Sequence, residues 1–234
     1  MTSRKEELAE NLAVVRRRIA DACGAVGRPV DDVTLTVVTK FFPASDVHLL
    51  AALGVKHVGE SRHQEAVAKV GQCSGLGLRW HFIGNLQSNK ASAVAEYADV
   101  VESVDRAKLV TGLSRGVRPG HLLDCLVQVN LDPDRESAHG RGGAPAADVV
   151  GLAEQVQAAP GLRLRGVMAV APLGQEPTAA FEELARIAER VRAVEPAATW
   201  LSAGMSADLE AAISCGATHV RIGGAVLGPR PPLG

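Results

Sequence analysis

Two groups of residues, far apart in the chain, have types suited to one chemistry. The first is Lys40, which closes the apolar stretch TLTVVTK at residues 34–40, just ahead of Phe41-Phe42-Pro43. A lysine held in apolar surroundings loses solvation for its charged form, so its pKa falls from about 10.4 toward neutrality. The neutral amine is then a nucleophile toward carbonyls, the basis of Schiff-base lysines. The second group lies near the C-terminus, in ATWLSAGMSADLE and THVRIGGAVLG. Ser202 to Ser206 turn the chain into one helix, and Gly223-Gly224 open another. Glycine lets backbone N–H groups approach an anion closely, and a helix N-terminus favours negative charge. Each residue also has a plain structural reading. Lys40 can reach solvent or pair with Glu60, and Ser206 suits a helix N-cap.

The elements that must position these residues follow from hydrophobic periodicity. Leu8, Leu12, Val15, Ile19, Ala22 and Val26 mark an N-terminal helix over residues 3–26. Strands are expected at 34–40, 56–60, 78–84, 99–104, 122–130, 162–170, 198–204 and 218–224. Helical patterns separate them at 45–53, 62–70, 87–97, 105–115, 146–158, 176–194 and 206–215. Strict alternation argues for a parallel sheet. Eight such units in 234 residues favour a single (β/α)8 barrel, residues 1–234, over an open doubly wound sheet. Residues 131–145 are polar and turn-rich and read as a long loop after the fifth strand.

In such barrels the active site gathers at the C-terminal ends of the strands. Those ends here are Lys40, Gly59-Glu60, Gly84-Asn85, Asn130, Met168, Ser202-Ala203-Gly204 and Arg221-Ile222-Gly223-Gly224. The turns after the seventh and eighth strands occupy the place where these barrels often bind phosphate. A lysine facing a phosphate cup implies a phosphorylated aldehyde. Pyridoxal phosphate has both handles, and so do aldolase-type sugar phosphates.

Composition narrows the classes. The formal charge is −1, which gives no electrostatic case for nucleic acid or an anionic membrane as partner. The N-terminus MTSRKEELAE lacks an apolar signal core, and no apolar run approaches the roughly 18 residues of a membrane span. Cys23, Cys73, Cys125 and Cys215 form no CxxC pair, which fits neither a zinc site nor a disulfide framework and agrees with a reducing cytoplasm. No exposed apolar helix stands out, so a monomer is expected.

The segments VVTK, VGES, HFIGNLQSNK, LVQVNLD, LRLRGVMAV, LSAGMSADLEAAI and VRIGGAVLG run in order from about residue 8 to 230. Together they resemble the pyridoxal-phosphate homeostasis proteins, once called proline synthetase co-transcribed homologues. The resemblance implies a single barrel similar to the N-terminal domain of alanine racemases, with the cofactor joined as an internal aldimine to the residue that aligns with Lys40. It further implies that Ser206 and Gly223-Gly224 hold the phosphate with Met205 nearby, and that Arg221 lies by the pyridine nitrogen. Glu60, Ser61, His81, Ile83 and Met168 would line the rest of the cup. The sequence departs from the family at Ser61, usually asparagine, and at Gly224, usually hydroxyl-bearing. The Ser-Gly piece of the 131–145 loop maps onto either Ser137–Gly140 or Gly140–Gly143.

A racemase on this barrel needs a second base, a tyrosine from a second domain of the partner subunit. The one tyrosine here, Tyr97, is placed by periodicity on the outer ring, and the chain stops at GPRPPLG, after the eighth strand's helix. The expected function is therefore intracellular pyridoxal 5'-phosphate homeostasis and delivery to apo-enzymes without turnover. A racemase-like enzyme is the alternative.

Overall fold

The computed structural model describes residues 2–132 and 142–230. Its strands are β1 (Thr34–Val38), β2 (His57–Glu60), β3 (Arg79–Phe82), β4 (Val100–Val104), β5 (Leu123–Gln128), β6 (Leu162–Met168), β7 (Trp200–Ser202) and β8 (His219–Ile222). They form a closed parallel barrel in chain order, β8 pairing back onto β1. The expected (β/α)8 barrel is the observed one. Most of the 131–145 loop, including Ser137–Gly140, lies outside the described residues.

An N-terminal helix, α1 (Arg4–Ala25), opens with a capping box between Ser3 and Glu6. It buries Leu8, Leu12, Val15, Ile19 and Cys23. These pack with Val37, Val58, Val220 and Ile222, the outward residues of β1, β2 and β8. The other connections are α2 (Ala44–Ala52), α3 (His63–Gln72), α4 (Ala91–Ala95), α5 (Ala107–Gly116), α6 (Val149–Ala158), α7 (Pro177–Arg192), α8 (Leu209–Ser214) and α9 (Gly224–Leu227). A second apolar layer joins α4 to α7 with the outward faces of β4 to β7.

The inside of the barrel is different. Among the described residues only Val100, Leu126 and Met168 form an apolar cluster there, with Trp200 against them. Around them lie buried Thr36, His81, Glu102, Asp124, Ser202, His219 and Arg221. At the N-terminal end Arg79 and Arg163 each bond one oxygen of Asp124 at 2.5 Å. Arg165 lies over the Trp200 ring, 4.4 Å from its centroid, and that ring is 4.3 Å from the His219 ring. Such barrels usually fill with branched apolar side chains, so the alternating strand patterns hid a polar interior.

Two boundaries differ from the periodicity for local reasons. β1 ends at Val38, not Lys40. Thr39 N–H still reaches Gly59 O, but its carbonyl accepts from Lys69 Nζ at 2.6 Å, outside the ladder. In β6 the register to β5 slips between Leu164 and Gly166. Gly166 has φ +147°, and a Cβ there would fall 1.8 Å from Trp200 O, so only glycine fits the bulge. The bulge resets the phase of the strand and turns Met168 inward.

Burial holds the His57 ring down to about pKa 4 and the His219 ring to about 3, with Glu102 opposing in both cases. Their unfolded value is 6.5, so below that pH protons bind the unfolded chain in preference. This contribution to stability is complete above about pH 6.5. It is lost as pH falls toward 4 for His57 and 3 for His219. Denaturant melts of the cofactor-free protein across that range should show the loss. His219→Gln should flatten the slope relative to the parent chain, and an unchanged slope would mean that His219 does not titrate this way.

Candidate functional site

The strand ends converge on one cavity of about 520 Å³ at the C-terminal mouth of the barrel. Lys40, Ser61, Ile83, Met168, Met205, Ser206, Arg221, Gly223 and Gly224 all line it. So do Asn85, Gln128, Asn130 and Arg230.

Lys40 sits in a turn, Thr39–Phe42, in which Phe41 has φ +71°, the one non-glycine residue with positive φ among those described. That left-handed conformation is costly for an aromatic residue, and neighbouring bonds hold it. Phe41 N–H donates to Glu65 Oε1 at 2.6 Å. Lys69 Nζ, buried, donates to Thr39 O, Glu60 Oε1 and Glu65 Oε1 at 2.6–2.7 Å. Glu60, weighed in sequence as a partner for Lys40 and as part of the lining, is thus taken by Lys69 and Thr39 and does not line the cavity. Burial lowers the Lys40 pKa and the Arg230 charge lowers it further, against Glu60 and Glu65. An amine in that position is a better nucleophile at neutral pH than a solvated lysine.

On the neighbouring side, after β7 and β8, Met205 N–H donates to Asp208 Oδ1 at 2.5 Å. Asp208, not Ser206, immediately precedes α8. Ser206 is therefore not the N-cap and presents itself to the cavity, its backbone oxygen tied to Arg18 Nη2 at 3.0 Å. Gly223 precedes α9 and Gly224 is its first residue. A Cβ on Gly224 would meet nothing within 4 Å. Arg221 enters from below, its Nη1 donating to Ser202 Oγ at 2.6 Å and its Nη2 to Ala169 O at 2.8 Å. Ser61 reaches the mouth beside Gly84, where any Cβ would fall 2.1 Å from Ser61 O.

His81 is not part of the lining, contrary to the sequence expectation. Its strand ends one residue later, so its inward side chain stands a layer below the mouth, between Glu102 and His57. Ile83, two residues on, takes the place at the cavity. Tyr97 lies after α4 on the outer ring, its ring stacked on His63 and its hydroxyl pushed up in pKa by burial. Sequence reasoning missed Lys69, Gln128 and Arg230. The Glu65–Lys69 spacing of one helical turn signals a pair, but not that the pair braces the turn of Lys40.

Residues 5–231 match the family described as the N-terminal domain of alanine racemase. The pyridoxal phosphate homeostasis protein of Mycobacterium tuberculosis is 44% identical, the match covering 97% of this chain and 94% of the relative. That of Escherichia coli is 38% identical over 96% and 97% of the two chains. Among solved structures, PipY of Synechococcus elongatus with PLP bound superposes with a TM-score of 0.81 at 34% identity, covering 94% of this chain and 100% of that one. Alanine racemase of Corynebacterium glutamicum shares the fold, with a TM-score of 0.71 at 14% identity over 62% of its length. The barrel, the order of its motifs and these matches together show that the chain belongs to the pyridoxal phosphate homeostasis proteins, within the alanine racemase N-terminal domain family.

Proposed function

We propose that this protein binds pyridoxal 5'-phosphate as a Schiff base on Lys40 and serves its homeostasis and delivery inside the cell. The observation that carries this reading is one cavity holding a half-buried amine of lowered pKa together with the Ser206 and Gly223-Gly224 turns. The names of the relatives and the PLP-bound neighbour support it.

The residues present fit the group. Ser206 and the two glycines offer hydroxyl and backbone donors to a phosphate, and the open space at Gly224 leaves room for it. Burial lowers the Arg221 pKa, but a guanidinium keeps its proton at working pH, so beside the ring nitrogen it would leave that nitrogen unprotonated. When bound, the cofactor supplies an electrophilic aldehyde, and an unprotonated ring is a weak electron sink. Lys40 Nζ would be the amine that holds the aldehyde, and an incoming amine would compete with it for the same carbon, so holding and handing over would need no further catalytic residue.

Turnover of an amino acid needs a second group to move a proton on the far face. Among the described residues lining the cavity there is no histidine or tyrosine, Asp132 is the one carboxylate, and Tyr97 stands on the outer ring. An assay of turnover decides between carrier and enzyme.

Borohydride reduction of the loaded protein and peptide mass mapping should find the adduct on Lys40, and Lys40→Ala should lose the yellow colour of the aldimine, keeping at most cofactor held without a covalent bond. An adduct on Lys56 or Lys90 would move the site. Ser206→Ala should weaken PLP retention about tenfold, the loss of one charge-assisted bond of about 1.5 kcal/mol. Gly224→Ser, which adds a hydroxyl in open space, should strengthen retention by several-fold. Equal affinity of the parent chain for pyridoxal and its phosphate would remove the phosphate site from the reading. Finally, the loaded protein should reactivate an apo PLP enzyme while racemising and decarboxylating no common amino acid. A kcat above about 1 s⁻¹ on any of them would overturn the carrier reading in favour of a racemase-like enzyme.

A further inference from the structure

A single chain of hydrogen bonds runs through the polar interior of the barrel from the mouth toward its other end. Arg221 Nη1 donates to Ser202 Oγ at 2.6 Å, and Ser202 Oγ donates to Glu102 Oε2 at 2.6 Å. Glu102 Oε1 is 2.7 Å from His81 Nδ1, and His81 Nε2 is 2.9 Å from His57 Nδ1. The side chains of His81 and Glu102 are 0% and 1% exposed, and that of Arg221 4%. Bulk water therefore does not screen this chain.

The polarity of the chain is set by Glu102. Burial alone would raise its pKa, but the His81 bond, the charges around it and the Ser202 hydroxyl bring it down to about 2. An ionised carboxylate only accepts. Its two oxygens therefore fix the Ser202 proton on one side and the His81 Nδ1 proton on the other. With its proton committed to Glu102, Ser202 can only accept from Arg221. The Arg221 guanidinium is 3.8 Å from Glu102 Oε2, close enough to be its counter-charge without a direct bond. Ala169 O takes the second Nη, which fixes the plane of the fork.

We propose that Glu102 is a positioning residue for Arg221: acting through Ser202, it holds the guanidinium in one orientation at the floor of the cavity, and His81 completes its hold. This deepens the PLP-binding reading and rests on it only where the ring nitrogen is concerned. Glu102→Gln keeps the size but has one acceptor oxygen in place of two. Its amide NH2 must then face Ser202, where it breaks the run of donors, or His81, where the imidazole has to move its proton to Nε2. The buried guanidinium also loses its counter-charge, so it should leave its place for the cavity.

The test begins in the cofactor-free protein, with the Arg221 Nε–H resonance in ¹⁵N NMR, assigned by its absence in Arg221→Lys. It should be a single sharp signal in the parent chain, shifted and broadened in Glu102→Gln. Asp124→Asn breaks the Arg79 and Arg163 pairs at the other end of the interior. It should lower Tm and leave the Arg221 signal in place. If Glu102→Gln does not fold, Ser202→Ala removes only the linking hydroxyl and should also shift the signal. With ¹⁵N-labelled PLP bound, the ring-nitrogen shift should change in Glu102→Gln and the Kd should rise about fivefold or more, a cost of about 1 kcal/mol. A variant that lowers Tm but keeps both signals at the parent positions would overturn the proposal. Failure of the parent chain to take up PLP would overturn the function reading alone, because the cofactor-free signal still decides the role of Glu102.

Discussion

The place of Lys40 depends on another lysine. Lys69 Nζ is almost fully buried and gives one bond each to Thr39 O, Glu60 Oε1 and Glu65 Oε1. Those bonds end β1, brace a turn that contains a strained phenylalanine, and take up the carboxylate that would otherwise pair with Lys40. Removing one member of a buried ion pair costs about 3–5 kcal/mol, because the partner is left charged and unpaired. Here the loss would fall on the backbone that carries the reactive amine. The cluster is not fully satisfied even so, since Glu60 Oε2 has no hydrogen-bond partner among the described residues. Burial accordingly raises the Glu60 pKa against the pull of Lys69.

Polar clusters of this kind are affordable only where something else holds the molecule together. The two apolar layers between strands and helices do that, with Leu8, Leu12, Leu50, Leu109, Leu113, Phe181 and Leu184 all under 2% exposed. Full burial of each such side chain contributes about 1.5–3 kcal/mol. The barrel wall is thus stabilised from outside, and its interior is free to carry charges. Parallel strands buried on both faces normally read as continuous apolar runs. Here the inward positions hold Thr36, Glu102, Ser202, His219 and Arg221.

The barrel was legible because strand–helix alternation is a local signal, repeated eight times. The mouth was legible because closure of a parallel sheet puts every strand's C-terminal end on one face, so the polar and glycine residues at those ends had to meet. Depth within the barrel was not legible. His81 and Ile83 both point inward, and only the observed end of β3 at Phe82 decides which of them reaches the cavity. The phase of β6 was hidden as well, because a bulge at Gly166 cannot be told from an ordinary strand glycine without seeing Trp200 O beside it. The interior chain escaped notice for another reason. Ser202 and Glu102 are separated by 100 residues and His81 and Glu102 by 21, so no spacing rule links them.

The two ends of the site are held by separate networks. Lys69, Glu60 and Glu65 brace the amine from β1, β2 and α3, whereas Glu102 and Ser202 hold Arg221 from β4 and β7. Neither network shares a residue with the other, although β1 and β8, which lead to Lys40 and carry Arg221, pair directly. A ligand that touches both Lys40 and Arg221 therefore meets two groups whose positions are fixed before it arrives. Fixing them in advance lowers the ordering cost at binding. Under the proposed function it would also separate the covalent anchor at Lys40 from the ring contact at Arg221. Reversible capture and release would draw on that independence, since the anchor could be exchanged for another amine while the remaining contacts still held the cofactor.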